Sequence, residues 1–153
     1  MNEKILVTSA LPYVNNVPHL GNLIGCLLSA DVYSRYQRLV GKNVLFVCGT
    51  DEYGTTTEQK AKELGITPRE LCNKYHALHT EIYDWFNISF DVFGRTSTDD
   101  PVNDKWTHTE LCHDIFNDLV DNGFIVEKKL RQLYCTKTNK YLADRFIKGN
   151  CPY

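Results

Sequence analysis

Two short apolar runs on either side of one long helical pattern constrain this chain more than any other feature. Lys4 to Ser9 (KILVTS) and Asn43 to Cys48 (NVLFVC) have the length and composition of buried strands. Between them, apolar residues fall at 20, 23, 24, 27 and 28, then at 32, 36, 39 and 40. That spacing is one stripe of a helix, and Gly41 stops it. Strand, loop, helix and strand in this order make a βαβ unit with parallel strands and an expected right-handed crossover. The fold class is therefore α/β, around a parallel sheet.

Further elements follow the same logic. Thr57 to Leu64 reads as a helix stopped by Gly65. Thr67-Pro68-Arg69-Glu70 is a capping box with proline at the first helical position, and it opens a helix to about Phe86. Ile88 to Phe93 alternates like a strand, and Asp100-Pro101 opens a helix that ends at Asn122-Gly123. Beyond 124, short alternating pieces (FIVEKKL, QLYC, KYLADRF) surround Thr-Lys-Thr-Asn and predict small antiparallel strands. Composition changes there, so two parts are expected, 1–123 and 124–153.

Charge divides the chain in the same place. The 153 residues carry 17 basic and 19 acidic side chains, a net −2. Residues 1–126 hold −7 and residues 127–153 hold +5, so a polyanion would meet the far end. A 42% hydrophobic fraction supports a packed core and excludes intrinsic disorder. The most apolar stretch, Leu20 to Val40, is broken by Asp31, Arg35 and Arg38, so no membrane partner is expected. Met1-Asn2-Glu3-Lys4 leads straight into a strand, and the six cysteines mostly sit inside periodic apolar stretches. Both point to reduced thiols in the cytoplasm.

The junction after the first strand is the best candidate site, since open parallel sheets bind ligands beyond their strands' carboxyl ends. Pro18-His19-Leu20-Gly21-Asn22 places His19 and Asn22 on one face of a first helical turn, beside unpaired N–H groups suited to phosphate. Gly21 lets a flat ring or a phosphate approach the backbone. A helix-start histidine with a solvated asparagine fits this string equally well. Gly49-Thr50-Asp51-Glu52-Tyr53-Gly54-Thr55 puts two carboxylates at the end of the next strand. Donors on one loop and an acid on the other suit a zwitterionic amino acid beside a nucleotide. Neither the dinucleotide glycine fingerprint nor a Walker loop is present, which argues against a dehydrogenase or a P-loop enzyme.

Several stretches, in order, resemble the N-terminal catalytic region of the methionyl-tRNA synthetases. They are Ile5 to Tyr13, then Asn15, Pro18 to Asn22, Cys48 to Thr55, Trp85 to Asp91 and Tyr141 to Phe146. VNNVPHLGN and CGTDEYGT look most like the eukaryotic cytosolic branch. The resemblance implies the Rossmann-type nucleotide-binding half of a class I synthetase, followed by the start of a small β-rich connective, zinc-knuckle-like insert. It implies activation of methionine by ATP with Mg²⁺ and transfer to tRNA(Met), with a multi-synthetase complex as a further partner. Carried over by position, His19 and Asn22 are the polar ends of the "HIGH" motif and contact ATP. Gly21 packs under the adenine and Asn15 lies beside the nucleotide. Leu11 and Tyr13 line the methionine pocket, and Asp51 holds the ammonium group.

The match has gaps. No lysine-rich "KMSKS" loop is present; Thr136 to Lys140 is only a polar turn. Cys151-Pro152-Tyr153 is like half of a C-P-x-C zinc knuckle, and Cys135 stands where a C-x-x-C pair needs two. Tetrahedral zinc needs four ligands, so Zn²⁺ at Cys135 and Cys151 is expected only in a longer chain. The expectation is an N-terminal fragment, inactive alone; the alternative is a non-catalytic truncated paralogue binding nucleotide, methionine or RNA. Cys72, His76 and His79 share one helix face, which suits either a metal or packing on the sheet. His108 and Cys112 repeat the spacing. Lys128, Lys129, Arg131, Lys137, Lys140, Arg145 and Lys148 suit either a tRNA acceptor arm or solvent.

Overall fold

A computed structural model describes residues 3–97, 108–142, 147 and 149. Strand β1 (Lys4–Thr8) leads through a long loop into a helical run of three parts. These are α1 (Leu20–Asn22), a π-helical stretch (Leu23–Leu28) and α2 (Ser29–Leu39). Strand β2 (Asn43–Thr50), helices α3 (Thr55–Leu64) and α4 (Pro68–Trp85), and strand β3 (Val92–Arg95) follow. Helix α5 (His108–Asp121) precedes the short strands β4 (Tyr134–Cys135) and β5 (Lys140–Tyr141). The chain divides into two units, Met1–Cys112 and His113–Tyr153.

In the first unit the sheet order is β1-β2-β3, and both pairings are parallel. Lys4 to Thr8 pair with Asn43 to Val47, and Val47 to Thr50 pair with Val92 to Arg95. Alternation sends Val7, Val44 and Phe46 to one face, where Ile5, Ala30, Ile88 and Phe90 pack on them. Leu23, Leu27, Cys48 and Tyr83 form a second cluster that joins the π-helical stretch, β2 and α4. On the other face Leu6 and Leu45 are 65% and 48% exposed.

The long helix does not bury the stripe its spacing predicts. Leu23 and Leu27 are buried, but so are Asp31 and Ser34, whereas Val32, Tyr36, Leu39 and Val40 are exposed. Six π-helical residues change the rotation per residue and turn the later face away from the phase of the first. A polar seam replaces the apolar one. Asp31 Oδ1 accepts from the Ser89 amide (2.6 Å) and hydroxyl (2.5 Å), while Arg35 Nε donates to Asp31 Oδ2 at 2.7 Å.

Strand β3 begins later than the alternation from Ile88 predicts. At Asp91 the backbone amide still donates to Phe46 O at 2.8 Å, but the Phe46 amide goes to the Asp91 side chain, whose Oδ2 accepts it at 2.6 Å together with Arg38 Nη2 at 2.7 Å. The capping box of α4 forms on both sides, with Glu70 N on Thr67 Oγ1 (3.2 Å) and Thr67 N on Glu70 Oε2 (2.8 Å). Those amide and hydroxyl donors hold the Glu70 carboxyl below its usual range. The helix opening at Asp100-Pro101 lies outside the described residues; α5 ends where expected, at Gly123 with φ +75°.

In the second unit β4 and β5 pair antiparallel around the turn 136–139. The strand expected over 124–130 is absent, and only 134–135 of the QLYC piece joins a ladder. Among the described residues no helix is long and apolar enough to cross a membrane.

Candidate functional site

The loop after β1 closes directly on the end of β2. Asp51 N donates to Pro12 O at 2.9 Å and Val14 N to Asp51 O at 3.4 Å, so Tyr13 and Asp51 form a parallel bridge past the strands proper. Fully buried Val14 anchors this loop, while Leu11 and Tyr13 stay open to solvent. Two of the expected methionine-side residues, Tyr13 and Asp51, are thus brought side by side. Asp51 also accepts from the Tyr53 amide at 3.3 Å, which curls the turn. Gly54 ends that turn at φ +113°, a backbone open to glycine at little cost.

His19 and Asn22 are each other's caps. His19 Nδ1 accepts the Asn22 amide at 3.3 Å, and Asn22 Oδ1 accepts the His19 amide at 3.2 Å. The two polar ends of the motif therefore define the first turn of the helix together, the sequence-level function of a capping box. Gly21 is explained by the same contact. A Cβ there would lie 3.1 Å from His19 Cε1 and Nδ1, so the missing side chain lets the imidazole fold over the helix start. Asn15 is half-buried in the preceding loop.

Behind these loops lies a polar network that sequence reasoning missed. The Glu52 carboxylate is completely buried. It accepts from Arg95 Nε at 2.6 Å, Thr50 Oγ1 at 3.3 Å and the Ser97 hydroxyl. Glu52 N donates to Thr96 Oγ1 at 2.9 Å. Of the two adjacent carboxylates, the sequence gives no sign which turns inward; Arg95, 43 residues away, pairs with Glu52.

The Cys72, His76 and His79 face packs inward without gathering as a metal group; among the described residues no three His, Cys, Asp or Glu side chains do. His76 Nδ1 bonds Thr50 Oγ1 at 2.9 Å, and His79 Nε2 bonds Asn16 O at 2.9 Å. Burial, reinforced at His76 by Arg95, pushes both imidazoles below their ordinary value, so both stay neutral. His108 lies 3.8 Å from Cys112 Sγ along α5, an intrahelical contact.

The Cys135 thiol is drawn down by the Thr138 hydroxyl and then by the Thr138 and Lys137 amides. Donors aimed at sulfur favour the thiolate. Cys151 lies outside the described residues, as do Arg145 and Lys148 of the basic cluster.

The family model of class I tRNA synthetases (M) matches residues 5–153. The chain is 61% identical over 151 residues to "Methionine--tRNA ligase, cytoplasmic" of Arabidopsis thaliana, covering 99% of this chain and 18% of that protein. It is 57% identical over 152 residues to the Saccharomyces cerevisiae protein of the same name, covering 99% and 19%. In structure it superposes on Mycobacterium tuberculosis methionyl-tRNA synthetase in complex with methionyl-adenylate, with TM-score 0.76 and 26% identity over 94% of this chain and 26% of that one. The chain thus spans about a fifth of the length of the relatives it matches. With its parallel sheet as the Rossmann-type element and both signature loops at one sheet edge, the chain belongs to the class I tRNA synthetase (M) family.

Proposed function

We propose that this segment carries one side of the adenylate-forming site of a cytoplasmic methionine–tRNA ligase. The substrates are methionine, ATP with Mg²⁺ and tRNA(Met). The observation that supports this most is the Tyr13–Asp51 bridge, because it makes one cradle of the two loops. Asp51 holds the methionine ammonium, with Leu11 and Tyr13 along its side chain. His19 and Asn22 donate to the ATP phosphates through Nε2 and Nδ2, the nitrogens that their mutual capping bonds do not use. Gly21 leaves room for the adenine, and Asn15 lies beside the nucleotide.

The chemistry asks the protein for placement rather than a nucleophile. The methionine carboxylate attacks the α-phosphorus, and negative charge grows on the leaving pyrophosphate. Donors aimed there, with Mg²⁺, lower the barrier. Residues 124–153 begin the connective insert, whose +5 charge over 127–153 faces the tRNA acceptor end. Cys135 supplies one thiolate to a zinc site that further cysteines complete.

The test is titration of the chain with a non-hydrolysable methionyl-adenylate analogue. Binding is expected, with His19→Ala weakening it about tenfold, the size of one lost charge-assisted hydrogen bond. Asp51→Ala should weaken it at least as much. An affinity unchanged in both variants would refute this site.

A further inference from the structure

Helix α4 backs both loops of the site, and it does so through separate residues. His79 is buried, and its contact with a carbonyl, an acceptor only, requires the proton on Nε2. Nδ1 is then left to accept the Tyr83 hydroxyl at 3.3 Å. Tyr83 is itself buried, and that burial pushes its phenol well above the ordinary value, so it keeps its proton. The chain Tyr83–His79–Asn16 thus ties α4 to the backbone three residues before His19. Exposed Val17 gives that stretch no comparable anchor of its own.

The second tie is at Asp51. Its neighbours Thr50 and Glu52 are both buried, while Asp51 is half open. Thr50 is held by His76, and Glu52 by Arg95, which in turn donates to Asn73 Oδ1 of α4 at 2.8 Å. Arg69, at the start of α4, donates to Ser97 O at 2.6 Å and Ser97 Oγ at 3.0 Å, and approaches Glu52 Oε2 at 3.8 Å. A residue clamped on both sides has little freedom in where its carboxylate sits.

We infer that His79 and Glu52 are positioning residues for different halves of one site: His79 sets the loop entering His19, and Glu52 sets the turn presenting Asp51. The inference rests on the functional reading above and adds a division of labour to it. Polar residues of α4 act at the nucleotide end through buried position 79 and at the amino-acid end through half-buried position 76 and exposed positions 69 and 73. None of these side chains touches substrate.

The test grafts residues 1–153 in place of the matching segment of the Saccharomyces cerevisiae ligase, 57% identical over 152 residues, and follows methionine-dependent ATP–pyrophosphate exchange. His79→Leu should raise the KM for ATP about tenfold and leave that for methionine within about twofold. His79→Gln, which restores a donor towards Asn16 O, should recover most of the ATP KM. Glu52→Gln should give the reverse split, with the methionine KM rising. Tyr83→Phe, mild enough to preserve folding, should shift the ATP side alone. A graft with no exchange contradicts the functional reading, and the inference falls with it. An active graft whose variants move both KM values together, or move neither, overturns the inference and leaves that reading standing.

Discussion

Gly49 of β2 lies opposite Gly94 of β3. A Cβ on it would sit 2.9 Å from Gly94 O and 3.1 Å from Gly94 C, backbone atoms that cannot rotate aside. Gly49→Ala should therefore cost about 1–3 kcal/mol in denaturant unfolding, the range for forced overpacking. An unchanged midpoint would mean that the strands separate more easily than their pairing suggests. At this scale the sequence was informative wherever a residue's partner is local. His19 and Asn22 are three apart, and their spacing alone put them on one turn; the structure adds that they cap each other. Gly21 was legible as a close-approach position, although its neighbour here is the His19 ring. Glu52 and His79 were not legible as anchors, because their partners Arg95 and Asn16 lie 43 and 63 residues away. Nothing in a local string names such a partner.

At the scale of elements, β1, β2 and α4 follow their patterns, and the long helix does so only in part: Leu23 and Leu27 are buried, whereas Leu20, Ile24 and the apolar residues from Val32 on are exposed. Hydrophobic spacing predicts which side is buried only when rotation per residue stays constant, and the π-helical stretch breaks that assumption. The resulting seam makes α2 sensitive to acid. Burial alone would raise the Asp31 carboxyl; the Ser89 hydroxyl, Arg35 and the Ser89 amide outweigh it and hold the group below its ordinary value. A carboxyl lowered in the folded state stabilises fully above the unfolded value near pH 4, and that contribution is lost as pH falls through the lowered folded value. Thermal melts between about pH 6 and pH 2 should show this loss, and Asp31→Asn should flatten it. Asp31→Asn should also lower stability at neutral pH, by about 1–3 kcal/mol, since Arg35 and Ser89 lose their charged acceptor. A pH slope identical in both proteins would show that the seam contributes nothing.

For the molecule as a whole, topology converts two unremarkable strings into one place. Parallel strands β1 and β2 end on the same side, and the loops that leave them are stitched by the Pro12, Val14 and Asp51 backbone. The architecture was readable because the βαβ pattern is short and strongly periodic. Less was readable past residue 124, where, among the described residues, pieces of alternating sequence yield a ladder of two residue pairs. Short strands draw their stability from whatever packs on them, which alternation does not reveal. The most direct measurement is amide NMR of the chain during titration with a methionyl-adenylate analogue. Shifts are predicted in residues 11–22 and 49–55 together, saturating at one ligand concentration. Shifts confined to one of these segments, or centred on the outer face of α2, would contradict a shared cradle.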